Sequence, residues 1–355
     1  MAGVSGGKKM NQLTHSWIAI RSIALLEDND KDKHLVDLLK PMARLASVGA
    51  WVPDDIDAKR GGSGSSTDNH ILKIEPIQND PAGRFVCRKA DLLKHIGKHR
   101  KAYEFLSNDK SLDDEWWNAS YKGDVDKPGQ HLANRAMAMS TMMKDLLLMG
   151  NETIDDLIPG SIRFARYMAK GTCTREEAAA MYFFMLSHFI ADSCMPCHCD
   201  ARKLQGYDQG LHKELEEHWA KAIGKQFEKS TLLGKIPEMT QEEMEIDGRD
   251  LLEKACRVDA KFELDFGKAA IDDLQKGHDV WLELIFICRA SFSIASIIAP
   301  YRQYPYGKSR TKAPFDTLFS QNMGLLKDLD RTTMYDAVLN TAIVWKHIWN
   351  KVSKE

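Results

Sequence analysis

Apolar residues recur along this chain at spacings of three and four, which places them on one face of an α-helix. The stripe in SWIAIRSIALL predicts a first helix from about Thr14, ended by the polar run EDNDKDK. A second helix is predicted over roughly 34–48, ending in GAWVPDDIDAK, and the Gly- and Ser-rich residues 60–70 predict a surface loop. Helices at about 87–106 and 131–149 flank SLDDEWWNASYKGDVDKPG, a polar loop or small subdomain carrying Trp116 and Trp117. Helical patterning returns at 157–170, 175–192, 208–230, 241–271, 279–299, 322–328 and 333–351. Sustained alternation of apolar and polar residues is absent, and so is any repeat, so the expected class is all-α with many helices.

Composition narrows the function classes. With 355 residues the chain buries a substantial core, and 43% hydrophobic with 28% charged residues is ordinary for a globular protein. The net charge of -2, from 49 basic and 51 acidic side chains, argues against a broad electrostatic grip on nucleic acid. MAGVSGGKK has no apolar stretch behind its lysines and does not read as a signal peptide, so the expected location is cytoplasmic. The apolar run at 282–300 is interrupted by Glu283 and Arg289, which predicts a buried helix rather than stable transmembrane insertion. Seven cysteines, three of them within 194–199, are expected as free thiols in a reducing compartment.

The chemistry concentrates in residues 181–219, MYFFMLSHFIADSCMPCHCDARKLQGYDQGLHKELEEHW. His188, Asp192, His198, His212 and Glu216 stand there at offsets of 0, 4, 10, 24 and 28. On helices, His188 with Asp192 and His212 with Glu216 each present two metal-donor side chains from one face. A single such pair is as readily an N–H···carboxylate contact near the core. Five donors beside an apolar run exceed what packing needs, because burying them without a partner is costly and a metal removes that cost. Cys194, Cys197 and Cys199 offer a rival metal or redox site, against which stands the lack of a second CxxC motif.

The pattern HxxxDxxxxxH followed by HxxxE resembles the zinc-dependent phospholipase C family, which shares its fold with single-strand-specific nucleases. THSWIAIRSIALL is similar to that family's opening histidine helix, GAWVPDD to its glycine-then-aspartate segment, and the His of TDNHI to the histidine that follows. The resemblance covers about 1–220, with additional material around 107–170. Residues 221–355 are expected to be helical, packed on the core or forming a separate subdomain. What it implies is a zinc centre of two or three ions. His70, His188, Asp192 and Asp54 would hold the first, with Asp55 the alternative to Asp54. His198, His212 and Glu216 would hold the second, and His15 with a bridging Asp192 the third. In secreted relatives an N-terminal amine completes that third site, and here Ala2, after removal of Met1, would stand in its place.

The implied activity is hydrolysis of a phosphodiester, a phospholipid or a nucleotide or nucleic acid, by metal-activated water, with Asp54 orienting the water or accepting its proton. Trp51, Trp116, Trp117 and Trp219 are candidates for a lipid-binding mouth, for base stacking, or for plain packing. Two other readings are a single-strand nuclease or nucleotide phosphodiesterase, and a non-enzymatic helical interaction protein with structural zinc. His34, His95, His99, His131, His218, His278 and His347 lack a comparable spacing and are expected on the surface or in packing roles.

Overall fold

The computed structural model describes residues 6–29, 33–54, 132–148, 164–200, 211–224, 227, 235–267, 269, 271–274, 277–300, 315–320 and 322–353. Ala2, Asp55, His70, Trp116, Trp117, the 60–70 loop, the 87–106 helix and most of 107–170 lie outside the described residues. The protein is all-helical: no strand occurs among the described residues, where Met168 and Ile236 form an isolated parallel bridge.

Helix α1, Gly6–Asn29, starts earlier than its apolar stripe and runs on through Glu27 and Asp28. Lys and Gln in its first turns are good helix formers, and a helix once nucleated propagates through them. From Leu13 to Leu26 it is buried on every side, Ser16, Arg21 and Ser22 included. The serine hydroxyls donate within the helix, Ser16 Oγ to the Gln12 carbonyl at 2.7 Å and Ser22 Oγ to that of Ile18 at 2.8 Å. Arg21 forms a two-pronged pair with Asp259 and lies 4.3 Å from the centre of the Phe266 ring.

The second predicted helix is divided. Helix α2, His34–Leu39, gives way to a 3₁₀ turn at Ala43–Leu45 and then α3, Ala46–Gly49. Pro41 explains the break, since it has no N–H and clashes with the turn before it. Helix α4 follows at Leu132–Leu148, as patterned. Residues 164–167 form a 3₁₀ turn, where an α-helix was expected. Helix α5, Arg175–Cys194, begins with a reciprocal cap in which Glu177 N–H donates to Thr174 Oγ1 and Thr174 N–H to the Glu177 carboxylate. It is buried without interruption from Ala178 to Cys194.

A short helix α6, Pro196–Cys199, is followed by α7, Leu211–Ile223. The pattern over 241–271 resolves into α8, Gln241–Arg257, and α9, Asp259–Phe262, stopped by Glu263 in the left-handed region at φ 54°. Helix α10, Val280–Ile298, is long and apolar enough to cross a membrane by length and composition, and 78% of its apolar window is buried inside the protein. After α11, Phe315–Phe319, a single helix α12 runs Met323–Val352. Two helices, at 322–328 and 333–351, were expected there, on either side of the polar stretch DRTT. Yet Asp330, Thr332 and Thr333 are buried, so that stretch marks internal polar positions and contains no residue that breaks a helix.

The helices of residues 221–355 share one core with α1 and α5. Trp345 Nε1 donates to the Phe183 carbonyl at 2.9 Å and its ring meets Phe183 and Phe184 edge-on. Ser22 Oγ donates to the Val338 carbonyl at 3.0 Å, and Trp17 Nε1 to that of Ala255 at 3.0 Å. These contacts tie α12 to both α5 and α1, and α1 to α8.

Candidate metal centre

Helix α5 carries His188 and Asp192 one turn apart, with His188 Nε2 3.1 Å from Asp192 Oδ2. The helix stops at Cys194 because Met195 precedes Pro196 and takes an extended conformation, φ −82° and ψ 113°. Pro196 then opens α6 at a position where its missing N–H costs nothing. This reversal turns His198 back toward α5, with Nδ1 3.3 Å from Asp192 Oδ1. Helix α1 brings His15 from the far end of the sequence, Nε2 3.7 Å from Asp192 Oδ1, its ring stacked on His188 at 4.0 Å.

The segment after α3 reaches the same place. A Cβ on Gly49 would lie 2.7 Å from Phe184 Cβ, so glycine permits the close approach of this backbone to α5. As a result the Ala50 carbonyl stands 2.8 Å from His188 Nδ1, and Asp54 Oδ1 lies 3.7 Å from His188 Nε2. Helix α7 supplies His212 and Glu216, Nε2 to Oε1 2.8 Å, and His212 Nε2 lies 2.7 Å from His198 Nε2. Two sets result, His15, His188 and Asp192, and His198, His212 and Glu216, each with its donor atoms within 4.8 Å of one another.

The geometry brings several acceptor atoms face to face, where a proton or a bound cation would relieve their repulsion. His188 Nδ1 donates to Ala50, so in a neutral ring Nε2 carries a lone pair, which faces oxygens of Asp192 and Asp54. In the second set, a single proton at most lies between the two imidazole nitrogens, and Glu216 needs one too. Burial would push the Asp192 carboxyl up, but the flanking His188 and His198 outweigh it and hold the group well below the usual carboxylate range. Burial pushes His198 down despite Asp192 beside it. An ionised Asp192 and a neutral His198 are the protonation states a metal requires of its ligands. Tetrahedral zinc with bonds of 2.0–2.1 Å spaces its donor atoms about 3.3 Å apart. Within the two sets His188–Asp192, His15–Asp192, His198–His212 and His212–Glu216 lie at 3.1, 3.7, 2.7 and 2.8 Å, and all donor atoms of a set lie within 4.8 Å of one another. Small shifts of the side chains would bring this spacing to that of such an ion.

Of the eight residues expected at the centre, the structure brings together His15, Asp54, His188, Asp192, His198, His212 and Glu216. His70 lies outside the described residues. The cysteine rival weakens: Cys194, Cys197 and Cys199 are buried, and burial raises the Cys194 thiol far above its usual range, which suits inert packing. Trp219 is buried, its Nε1 donating to Asp330 at 2.8 Å, and that carboxylate also pairs with His218 at 2.7 Å. One contributor carries no signal in the sequence pattern, the Ala50 carbonyl, because it is backbone. No family model, curated protein or solved structure matches this chain.

Proposed function

We propose that the protein is a zinc-dependent phosphodiester hydrolase of the phospholipase C-like type, on the helical fold that family shares with single-strand nucleases. The observation that carries this reading is the convergence of seven donor side chains from five separate segments on two adjacent seats. On the pattern of the family resemblance His70, His188, Asp192 and Asp54 would hold one ion and His198, His212 and Glu216 a second, with His15 and a bridging Asp192 holding a third if three ions bind rather than two. Bound zinc would supply Lewis acidity, lowering the pKa of water to near neutral and neutralising phosphoryl oxygens as charge develops.

The chain's own residues divide the remaining work. His188 and Asp192 side chains are 1% and 4% exposed and form the closed floor, whereas Asp54 is 29%, His212 24% and Glu216 16% exposed. A substrate would therefore approach over Asp54, His212 and Glu216. Asp54, the most exposed carboxylate, is suited to orient a water or take its proton, so no serine or cysteine nucleophile is required. An open face of this kind favours an enzyme over the structural-zinc reading, since structural sites are closed. The burial of Trp219 assigns it to packing and removes it alike from a lipid-binding mouth and from base stacking.

The test is to strip the protein with chelator, restore zinc, and assay bis(p-nitrophenyl) phosphate, phosphatidylcholine and single-stranded DNA. Zinc-dependent cleavage of the first two supports the proposal. Cleavage of DNA without the lipid would replace it by the nuclease reading, and inactivity on all three with zinc bound would replace it by the structural one.

A further inference from the structure

The C-terminal part of the chain takes hold of helix α7, which carries His212 and Glu216 of the second donor set. The buried residues Leu211, Leu215 and Trp219 follow one another on α7 at spacings of four and form a stripe along it. Successive residues stand about 100° apart around a helix, so Glu216 lies on one flank of that stripe and Glu214 on the other. His212 shares its flank with Glu216, and His218 shares the opposite flank with Glu214, each pair one turn apart.

Burial of the stripe does not by itself aim the donors. The hydrophobic effect is non-directional, so it decides which side of α7 faces inward but opposes a small roll of the helix only weakly. Hydrogen bonds are directional and supply what burial lacks. Asp330 of α12, itself buried, meets two neighbouring side chains of α7. Trp219 Nε1 donates to its Oδ1 at 2.8 Å, and His218 Nε2 lies 2.7 Å from its Oδ2. These two side chains leave the helix about 100° apart, so a roll in either sense disturbs at least one of the bonds. Glu214 adds a hold on the same flank as His218, accepting from the Phe315 N–H at 2.9 Å, with the Phe315 ring 5.5 Å from that of His218.

We propose that Asp330 is a positioning residue for the second zinc seat: by holding Trp219 and His218 it sets the roll of α7 at which His212 and Glu216 face His198. The seat is sensitive to that setting. His212 Nε2 lies 2.7 Å from His198 Nε2 and 2.8 Å from Glu216 Oε1. A roll of about 20° displaces an atom at a helix's outer radius of about 5–6 Å by about 2 Å, as much as the length of a zinc–nitrogen bond. The inference rests on the zinc reading above and deepens it, giving the C-terminal helices a share in the centre.

The unaltered full-length protein, Asp330→Asn, Glu216→Gln and the two changes combined are titrated with zinc against a chromophoric chelator, and their zinc-free melting temperatures are measured. Asparagine keeps the volume but offers a single acceptor oxygen, so it serves only one of Trp219 and His218. Asp330→Asn should lose about tenfold in affinity at one site, the lower end of what removing the support behind a metal ligand costs. That loss should vanish in the Glu216→Gln background, where the seat is already disabled. Trp219→Phe removes one of the two bonds and should show a smaller loss at the same site; it carries the same comparison if the asparagine variant does not fold. An Asp330→Asn protein that binds zinc as the unaltered one does, whatever its melting temperature, would leave the carboxylate a role in stability alone and overturn the proposal. A loss of equal size in the Glu216→Gln background would overturn it too, as a general loosening. An unaltered protein that binds no zinc would remove the metal reading itself, and this inference with it.

Discussion

Asp192→Asn is the sharpest single perturbation. Both carboxylate oxygens are engaged: Oδ2 lies 3.1 Å from His188, and Oδ1 lies 3.3 Å from His198 and 3.7 Å from His15. Asparagine keeps the volume but replaces one oxygen by an NH₂ donor, which turns hydrogens toward a cation. The consequence is readable as thermal stability, because an ion that binds only the folded state stabilises it by RT ln(1 + [L]/Kd), about 2.7 kcal/mol per site at a hundredfold excess over Kd. Unfolding entropy near 2.1 cal/mol/K per residue gives about 0.7 kcal/mol/K for a chain of 355 residues. Each saturated site should therefore raise the melting temperature by about 4 °C, and two sites by about 7 °C. The assay is calorimetry of both proteins with zinc and with chelator. Comparing the zinc-induced rises cancels any effect of the substitution on the zinc-free fold. The asparagine variant should lose at least one site's worth, about 4 °C. An equal rise in both proteins would refute the bridging role of Asp192.

Three further outcomes follow from particular contacts. In zinc-free protein, His198 is held below its ordinary 6.5, chiefly by burial, so the unfolded chain takes up the proton first. Stability should be complete above about pH 6.5 and fall as the pH drops toward the folded value, with a second loss as the pH falls below about 3.8 through the depressed value of Asp192. Urea denaturation between pH 8 and pH 3 checks this, and an unchanged midpoint from pH 7 to 5 would contradict it. Gly248→Ala should destabilise by about 1–3 kcal/mol although alanine normally favours a helix, because the new Cβ would lie 2.1 Å from the Lys40 carbonyl oxygen; a raised melting temperature would show that α2 yields. Arg21→Met should cost about 3–5 kcal/mol by stranding Asp259, whereas Arg21→Met with Asp259→Leu should recover most of it in the same melting assay.

The helical class was legible because its signal is local. The stripe of α1 and the apolar run of α10 each show in a short window of sequence. Boundaries failed where a distant or non-periodic cause decided them: Pro41 divides the second helix, and DRTT continues α12 because Asp330 meets Trp219 and His218 from another helix. At the candidate centre, His188 with Asp192 and His212 with Glu216 were legible by helical spacing alone. The approach of His15 and Asp54 was expected only through the family resemblance, since nothing local says where α1 will lie on α5. The Ala50 carbonyl was invisible, because its part depends on which atoms are left facing one another after packing.

The central claim is that these side chains are zinc ligands, and anomalous diffraction tests it most directly. Crystals of the protein grown with zinc should be measured above and below the zinc absorption edge. The account predicts difference peaks between His198, His212 and Glu216 and beside His188 and Asp192, with donor distances near 2.0–2.2 Å. Peaks only at Cys194, Cys197 and Cys199 or on the surface, with the two donor sets unaltered, would contradict it.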